Sequence, residues 1–486
     1  MPPVTERPLL FIDGEFVQPS SRQVIAVISP STEQPIGHVV DADGTDVDRA
    51  VAAARRSFDA GVWRNLPLEQ RLEIIERAVS HFAARAKEIG FLMTTEMGMP
   101  ISVSEASPLG SAAYARTLMN LARSLPEYEV RTGAATAAIV REPVGVVAAI
   151  APWNGPFGLA VTKTVPALIA GCSIVFKPAP ESPLSVFVLA EALAEAGLPA
   201  GVFNVITGGR ETGATLVAHP QVDKVSFTGS TAAGRLIGEE CGRSFKRMQL
   251  ELGGKSAAIV LDDADLAASA PGFAMGCFFN TGQVCALYSR VLAPRSRYDE
   301  VVDTLCNVAK GFRIGDPFDR ETTMGPVVSQ RQRDRIEQYI ASGLDQGAKL
   351  VLGGQRPAGL EHGWYVEPTV FANVDNAMKI AQEEIFGPVI SVIPYDSVDE
   401  AITIANDSPY GLHGAVFTTD EERALSVARR VRTGTFSVNA FVYNREAPFG
   451  GVKCSGVGRD TGLEGLQSFY ELKTINITPG MVGLVS

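Results

Sequence analysis

From residue 144 onward the chain repeats one unit, a short apolar run, a turn, then apolar residues at three- and four-residue steps. Runs at 144–151, 173–176, 203–207 and 224–227 read as strands; the segments near 159–170 and 184–196, and the one that starts at Thr231, read as helices. Repeated strand–helix units of this length predict an open parallel sheet covered by helices on both faces. Such sheets bind ligands beyond their carboxyl ends, where strands give way to loops. A second series begins after Gly254, with a strand-like run at 257–261, helical stretches around 267–279 and 334–346, and apolar runs at 389–393 and 414–417. The fold class expected is therefore α/β, built as two doubly wound parallel-sheet domains.

Two earlier features complete the frame. Residues 9–17 place Asp13-Gly14 between apolar runs, the signature of a β-hairpin. Val47, Ala50, Val51, Ala54 and Phe58, then Leu72, Ile75, Val79 and Phe82, recur with helical period and read as two amphipathic helices. The length of 486 residues leaves room for two to four domains, and 46% apolar with 20% charged residues describes a globular chain. A net charge of −11 argues against a nucleic-acid partner. The most apolar stretch, 144–176, is broken by Lys163 before the ~20 residues of a membrane span accumulate, so no membrane association is expected. Residues 1–8 open no secretory leader, which makes the cytoplasm the expected location. Six scattered cysteines form no CxxC pair and no Cys/His ligand spacing, so reduced thiols and no metal site are expected.

Four segments carry chemistry, each with a bland alternative. Residues 227–234 follow a strand and open a helix; Gly229, Ser230 and Gly234 suit phosphate at a helix N-terminus, or tight packing alone. The segment lacks the GxGxxG spacing and is no P-loop. In Asn280-Thr281-Gly282-Gln283-Val284-Cys285 a lone cysteine among polar neighbours is either a nucleophile or a small buried hydrophobe; none of the five histidines stands in a papain-like context. Glu251 ends an alternating strand beside Gly253-Gly254, as a repositionable base or as a solvated strand end. Asn154, in Pro152-Trp153-Asn154-Gly155-Pro156, is a helix cap or an oxyanion donor.

Taken together and in order, these segments resemble the NAD(P)-dependent aldehyde dehydrogenase superfamily over nearly the whole chain. The motifs that carry the resemblance are Pro152-Trp153-Asn154, Phe176-Lys177-Pro178, Phe227-Thr228-Gly229-Ser230, Glu251-Leu252-Gly253-Gly254-Lys255, Asn280-x-Gly282-Gln283-x-Cys285, Glu384-Ile385-Phe386-Gly387-Pro388 and Pro448-Phe449-Gly450-Gly451-x-Lys453-x-Ser455-Gly456. The resemblance implies Cys285 as nucleophile, Asn154 with the Cys285 N–H as oxyanion donors, and Glu251 as the base that hydrolyses a thioester, the mark of the non-acylating branch. It implies cofactor binding by Trp153, Lys177, Gly229, Ser230, Gly234, Glu384 and Phe386. NAD is expected, with NADP possible, since Pro180 stands where many NAD-preferring relatives carry Glu. By the same resemblance Phe157, Val284, Ala286, Tyr443 and Phe449 line the aldehyde tunnel, whose apolar character suits an aromatic or medium-chain aldehyde. A semialdehyde met by Arg445, or cofactor-free thiol esterase chemistry, are the alternatives. The implied organisation is an NAD(P)-binding domain from 1–123 and 144–253, a catalytic domain at 254–454, and a small β flap with bridging segments at 124–143 and 455–486, joining copies into a homodimer or homotetramer.

Overall fold

A computed structural model describes residues 8–484, so the leader reading, made on the first residues, lies almost wholly outside the described residues. The hairpin forms as expected. Leu10–Ile12 pairs antiparallel with Glu15–Val17, and Asp13 and Gly14 take φ of 59° and 86°, the left-handed pair that an Asp-Gly turn adopts. Helices Gly44–Ala60 and Leu68–Ala84 follow and bury the residues whose spacing marked them. Two more helices, Ala86–Met97 and Ile101–Arg123, have no counterpart in the sequence reading.

The first large sheet has eight strands. Its middle runs Arg247–Glu251, Lys224–Thr228, Val146–Ile150, Ser173–Lys177 and Phe203–Val205, all parallel, with antiparallel strands at the two edges. Val147 and Ala149 join one hydrophobic cluster while Val146, Ala148 and Ile150 join another. The alternation of a strand buried on both faces produces this split, and it explains why the run reads as continuously apolar. Strands after Val146–Ile150 first extend the sheet one way, then the chain returns to add Lys224–Thr228 on the other side. The crevice beyond the carboxyl ends of these two neighbours is where such sheets take their ligands.

The second large sheet has seven strands, in the order Lys349–Leu352, Thr369–Ala372, Val389–Tyr395, Tyr288–Pro294, Ser256–Val260, Gly414–Phe417 and Ser437–Val438. All pairings are parallel except the first. Again two clusters share the alternate residues, Ala257 and Ile259 on one face, Ala258 and Val260 on the other. A separate antiparallel sheet joins Tyr128–Thr132, Thr136–Pro143 and Tyr470–Ile477. Near the end of the chain Gly456–Val457 pairs with Arg247–Glu251, which draws the segment following the second sheet back onto the first. Among the described residues no helix is long and apolar enough to cross a membrane.

Candidate active site

A cleft of about 1060 Å³ opens at the reversal point of the first sheet. The strand Val146–Ile150 runs into Trp153 and Asn154 on its wall, and Lys224–Thr228 runs into Gly229 and Ser230. Ser230 caps the helix Thr231–Ser244, its Oγ accepting from the Ala233 N–H at 3.2 Å, so the positive end of that helix faces the cleft. The opposite wall is built from loops that precede strands of the second sheet. Cys285 stands just before Tyr288–Pro294, and Glu384 and Phe386 just before Val389–Tyr395. The carboxyl edge of one sheet thus meets the amino edge of the other, and Trp153 and Phe386 touch edge to face at 5.3 Å across the divide.

The turn ahead of Cys285 is strained. Asn280, Thr281 and Gly282 take φ of 50°, 55° and 74° in succession, and a Cβ on Gly282 would lie 2.1 Å from the carbonyl carbon of Gly387. Gln283 locks this geometry, its Nε2 donating to the Asn280 carbonyl at 3.1 Å and its Oε1 accepting from the Val328 N–H at 3.0 Å. Asn154 is fastened to the same turn: its Nδ2 donates to the Gln283 carbonyl at 2.8 Å, and Asn280 Nδ2 donates back to the Asn154 carbonyl at 3.1 Å. An amide carries two N–H donors, so this bond anchors Asn154 and spends only one of them.

Burial pushes the Cys285 thiol up to about 12, and the carboxylates of Glu384 and Glu251 add to the shift. Glu251 is 3% exposed, and neither carboxylate oxygen has a hydrogen-bond partner. Burial, then the nearby Asp460, holds its carboxyl well above the ordinary glutamate range, against the opposing charges of Lys163 and Arg459. The solvated strand-end alternative for Glu251 therefore does not hold. Lys163, wholly buried, donates to Ser226 Oγ at 3.2 Å and lies 3.9 Å from Asp460, which accepts from Gln249 Nε2. Glu384 accepts from the Gly254 N–H at 3.0 Å and is pushed up to about 7 by burial, opposed by that hydrogen bond, Lys255 and Arg335.

Other expected site residues are placed less centrally. Lys177 ends its strand at the same carboxyl edge, but it is buried off the cleft wall, its Nζ donating to the Pro178 carbonyl at 3.0 Å. Gly234 serves tight packing, since a Cβ there would meet Leu252 at 2.5 Å. Phe157 and Ala286 are buried and do not reach the cleft; Phe157 packs edge-on against Phe82 at 5.2 Å. Val284 lines a small hollow behind Cys285. Tyr443 stands edge to face with Phe449 at 5.4 Å, and neither ring lines the cleft.

Several wall residues escaped sequence reasoning, among them Gln332, Arg335 and Tyr410. Gln332, on the helix Gln330–Asp345, donates to the Ile385 and Phe386 carbonyls at 3.1 and 2.9 Å, and Arg335 donates to the Glu384 carbonyl at 2.7 Å. These bonds hold the turn that presents Glu384. Tyr410 closes the far side. Nothing in helical periodicity separates such residues from an ordinary solvated face.

This arrangement has counterparts among known proteins, and residues 16–475 match the model of the aldehyde dehydrogenase family. The chain belongs to that family. It is 46% identical over 472 residues to a geranial dehydrogenase of Castellaniella defragrans, covering 96% of this chain and 98% of that one. It is 43% identical over 467 residues to a 3-succinoylsemialdehyde-pyridine dehydrogenase of a Pseudomonas species, covering 96% and 97%. Among solved structures, an aldehyde dehydrogenase of Mycobacterium tuberculosis complexed with NAD+ superposes with a TM-score of 0.96 at 46% identity, over 98% of this chain and 99% of that one. A cysteine-to-alanine variant of a Pseudomonas syringae aldehyde dehydrogenase, complexed with NAD+ and octanal, gives 0.94 at 41% identity over 98% and 97%. The enzyme is thus an aldehyde dehydrogenase of mixed α/β architecture.

Proposed function

We propose that this aldehyde dehydrogenase oxidises hydrophobic aldehydes to carboxylic acids with NAD+, through a thioester on Cys285 that water attacks with Glu251 as base. The observation that carries the reading is a cleft that brings together the strained cysteine turn and an asparagine amide fastened to that turn, with the partnerless carboxylate of Glu251 buried just behind the wall formed by Leu252 and Gly253 and acting on the Cys285 thiol.

The cleft suits a dinucleotide. The Ser230-capped helix offers first-turn N–H groups and a positive dipole to a pyrophosphate, while the Gly229 N–H is tied to the Glu251 carbonyl at 3.0 Å, and Thr228 Oγ1 is buried there without a partner. Trp153 and Phe386 form an aromatic wall, and Glu384 supplies acceptors for ribose hydroxyls. Lys177 is assigned to the adenosine ribose. NAD+ bound in this cleft supplies the acceptor for the hydride that leaves the substrate carbon. Pro180 leaves no carboxylate at the position that would repel a 2′-phosphate, and Glu181 is engaged by Arg331 at 3.3 Å, so NADP+ belongs beside NAD+ in any assay.

Cys285 gives up its proton to water and its sulfur attacks the carbonyl carbon, forming a thiohemiacetal whose oxyanion meets the free N–H of Asn154 Nδ2 and the backbone N–H of Cys285. After oxidation the acyl group remains on the sulfur. Glu251 then takes a proton from water, hydroxide adds to the thioester, and the sulfur leaves. The raised pKa of Glu251 suits this step, because a base must hold the proton it receives. Val284, Tyr443 and Phe449 offer the aldehyde an apolar surface, consistent with the geranial and octanal named for the relatives. A semialdehyde substrate is the second reading; it rests on exposed Arg445, which donates to the Gly110 carbonyl at 3.3 Å, and on the semialdehyde named for the Pseudomonas relative.

The test is NADH formation, followed by absorbance, with terpenoid, aromatic, medium-chain and semialdehyde substrates. Turnover should be fastest on the apolar aldehydes, and Cys285→Ala should abolish it while NAD+ still binds. Turnover confined to semialdehydes would overturn the substrate class, and turnover by Cys285→Ala would overturn the mechanism.

A further inference from the structure

Five rings cluster next to the catalytic turn, and the hub of the cluster is a histidine. His413 is 1% exposed; it stacks on Tyr288 at 5.5 Å and meets Phe441 at 5.8 Å and Tyr443 at 5.3 Å. Tyr443 carries the series on to Phe449 at 5.4 Å. A ring that only fills space needs no polar atoms, and burying an imidazole desolvates two nitrogens. Both nitrogens of His413 are engaged: Nδ1 lies 2.7 Å from Thr435 Oγ1, and Nε2 lies 3.2 Å from the Tyr288 hydroxyl and 3.3 Å from Ser437 Oγ. The one hydroxyl proton of Thr435 goes to the Leu412 carbonyl at 3.1 Å, so Nδ1 bears the ring proton and Nε2 is an acceptor.

The two hydroxyls at Nε2 also hold main chain. The Tyr288 hydroxyl donates to the Ala440 carbonyl at 2.8 Å, and the Ser437 hydroxyl reaches the Val442 carbonyl at 3.2 Å as well as Nε2. These contacts fall in a loop that is fastened at both ends. At one end the Asn439 amide exchanges two bonds with the Thr418 main chain, at 2.9 and 2.8 Å; at the other Asn444 Oδ1 accepts from the Glu446 N–H at 3.0 Å. Phe441 and Tyr443 project from the span between, so the hub fixes the backbone that aims both rings. The hub is sealed, but the outer side of the cluster is open, with Tyr443 39% exposed. The cluster also bridges the catalytic pair. Tyr288 follows Cys285 by three residues, and Phe449 precedes Gly450, on which a Cβ would lie 2.5 Å from Glu251 Oε1.

We propose that His413 is a positioning residue for aldehyde selectivity: by fixing the loop that bears Phe441 and Tyr443 it holds the aromatic wall that receives the apolar chain of the substrate, and so sets how well long aldehydes bind relative to short ones. The inference rests on the reading that Tyr443 and Phe449 face the aldehyde. A leucine at this position would fill much of the ring's volume but take away the acceptor shared by Tyr288 and Ser437 and the donor to Thr435, leaving buried hydroxyls unpaired. A glutamine would return an acceptor at the reach of Nε2. A short aldehyde reacts at Cys285 without extending to Tyr443, so the effect belongs to long chains alone.

The experiment is steady-state oxidation of straight-chain aldehydes from propanal to decanal by the full-length enzyme with NAD+, for wild type, His413→Leu, His413→Gln and Tyr443→Ala, with NAD+ affinity measured by calorimetry. His413→Leu should raise KM for decanal about tenfold, while KM for propanal, kcat on propanal and the NAD+ Kd stay within about twofold of wild type. His413→Gln should recover most of the loss, and Tyr443→Ala should weaken decanal in the same selective way. An equal loss at every chain length in His413→Leu, no loss at any, or a glutamine no better than the leucine would overturn the proposal, since a histidine that only supports the fold behaves in one of those ways. If His413→Leu does not fold, Tyr288→Phe decides by the same criterion, because it keeps the ring and removes the hydroxyl between the hub and Ala440. A chain-length profile left unchanged by Tyr443→Ala would show that the aldehyde-wall reading itself fails; a profile altered by Tyr443→Ala but not by His413→Leu removes His413 alone.

Discussion

Glu251 and Gly282 show at single residues how the site trades stability for chemistry. A buried carboxyl with both oxygens unpartnered lacks the hydrogen bonds that normally offset desolvation. In the mechanism we propose it acts as a base, so Glu251→Gln should still form the thioester and fail to release it. Rapid mixing should then show a burst of about one NADH per site, followed by turnover slower by about 10²–10⁴-fold. The pH dependence has a definite sign: the base works deprotonated and its pKa is raised, so wild-type hydrolysis should climb as pH rises through that pKa, while the residual rate of Glu251→Gln should not. Steady release without a burst would remove Glu251 from this role. Gly282 pays in packing. Its φ of 74° and the 2.1 Å approach of Gly387 leave no room for a side chain. Gly282→Ala should lower stability by more than ~1 kcal/mol and displace Cys285, seen as a lower Tm together with slower thiol alkylation or burst.

At the scale of elements, the helix Leu184–Glu195 begins after Pro183 and has no cap from its own side chains. Glu96, on the helix Ala86–Met97, supplies one from a distance, accepting from the Leu184 N–H at 2.8 Å and the Ser185 N–H at 3.3 Å. Burial pushes Glu96 up to about 8 against these two bonds. A folded pKa above the unfolded one means that folding takes up a proton, so the contribution of Glu96 is full below about pH 4.5 and is lost as pH rises toward 8. Glu96→Gln, which mimics the neutral acid, should match wild type near pH 5 and become the more stable of the two by pH 9, with a gap growing by up to about 1.4 kcal/mol per pH unit. Thermal unfolding of the pair across that range checks it; a constant gap would show that Glu96 titrates normally. Elements of this kind also mark the limit of what the sequence discloses. The strand Gly414–Phe417 and the helices Gly44–Ala60 and Leu68–Ala84 were legible because burial on one or both faces writes itself into spacing. The helix Ile101–Arg123 was not, because Pro108 and Gly110 interrupt its pattern. Cys285, Asn154 and Glu251 stood out by residue type and motif. The bond from Asn154 to Gln283, and the grip of Gln332 and Arg335 on the Glu384 turn, join segments more than a hundred and about fifty residues apart, and local pattern has no access to them.

Across the whole molecule, the chain's third sheet stands apart from the two that build the cleft. We propose the division into a cofactor domain of 1–123 with 144–253 and a catalytic domain of 254–454; the three-stranded sheet then comes from the remaining segments, 124–143 and 455–486. Both of its outer strands, Tyr128–Thr132 and Tyr470–Ile477, keep an unpaired edge among the described residues. It also shows solvent Leu472 at 67% exposure, with Ile475 and Tyr128 more than one-third exposed. Open edges and exposed apolar side chains together are what a monomer ordinarily suppresses with charge, proline or a bulge. A second copy of the chain would cover them, in line with the homodimer or homotetramer expected from the family resemblance. The cleft wall takes no residue from this third sheet, which separates assembly from chemistry. Light scattering should therefore find wild type at two or four times the chain mass. Leu472→Lys combined with Ile475→Lys should shift the population to smaller species, while NAD+ affinity per chain stays within about threefold, less than the 1.4 kcal/mol that a tenfold change represents. A wild type that scatters as a single chain would remove the oligomer, and a variant that dissociates and loses NAD+ binding would show that the partner helps to shape the cleft.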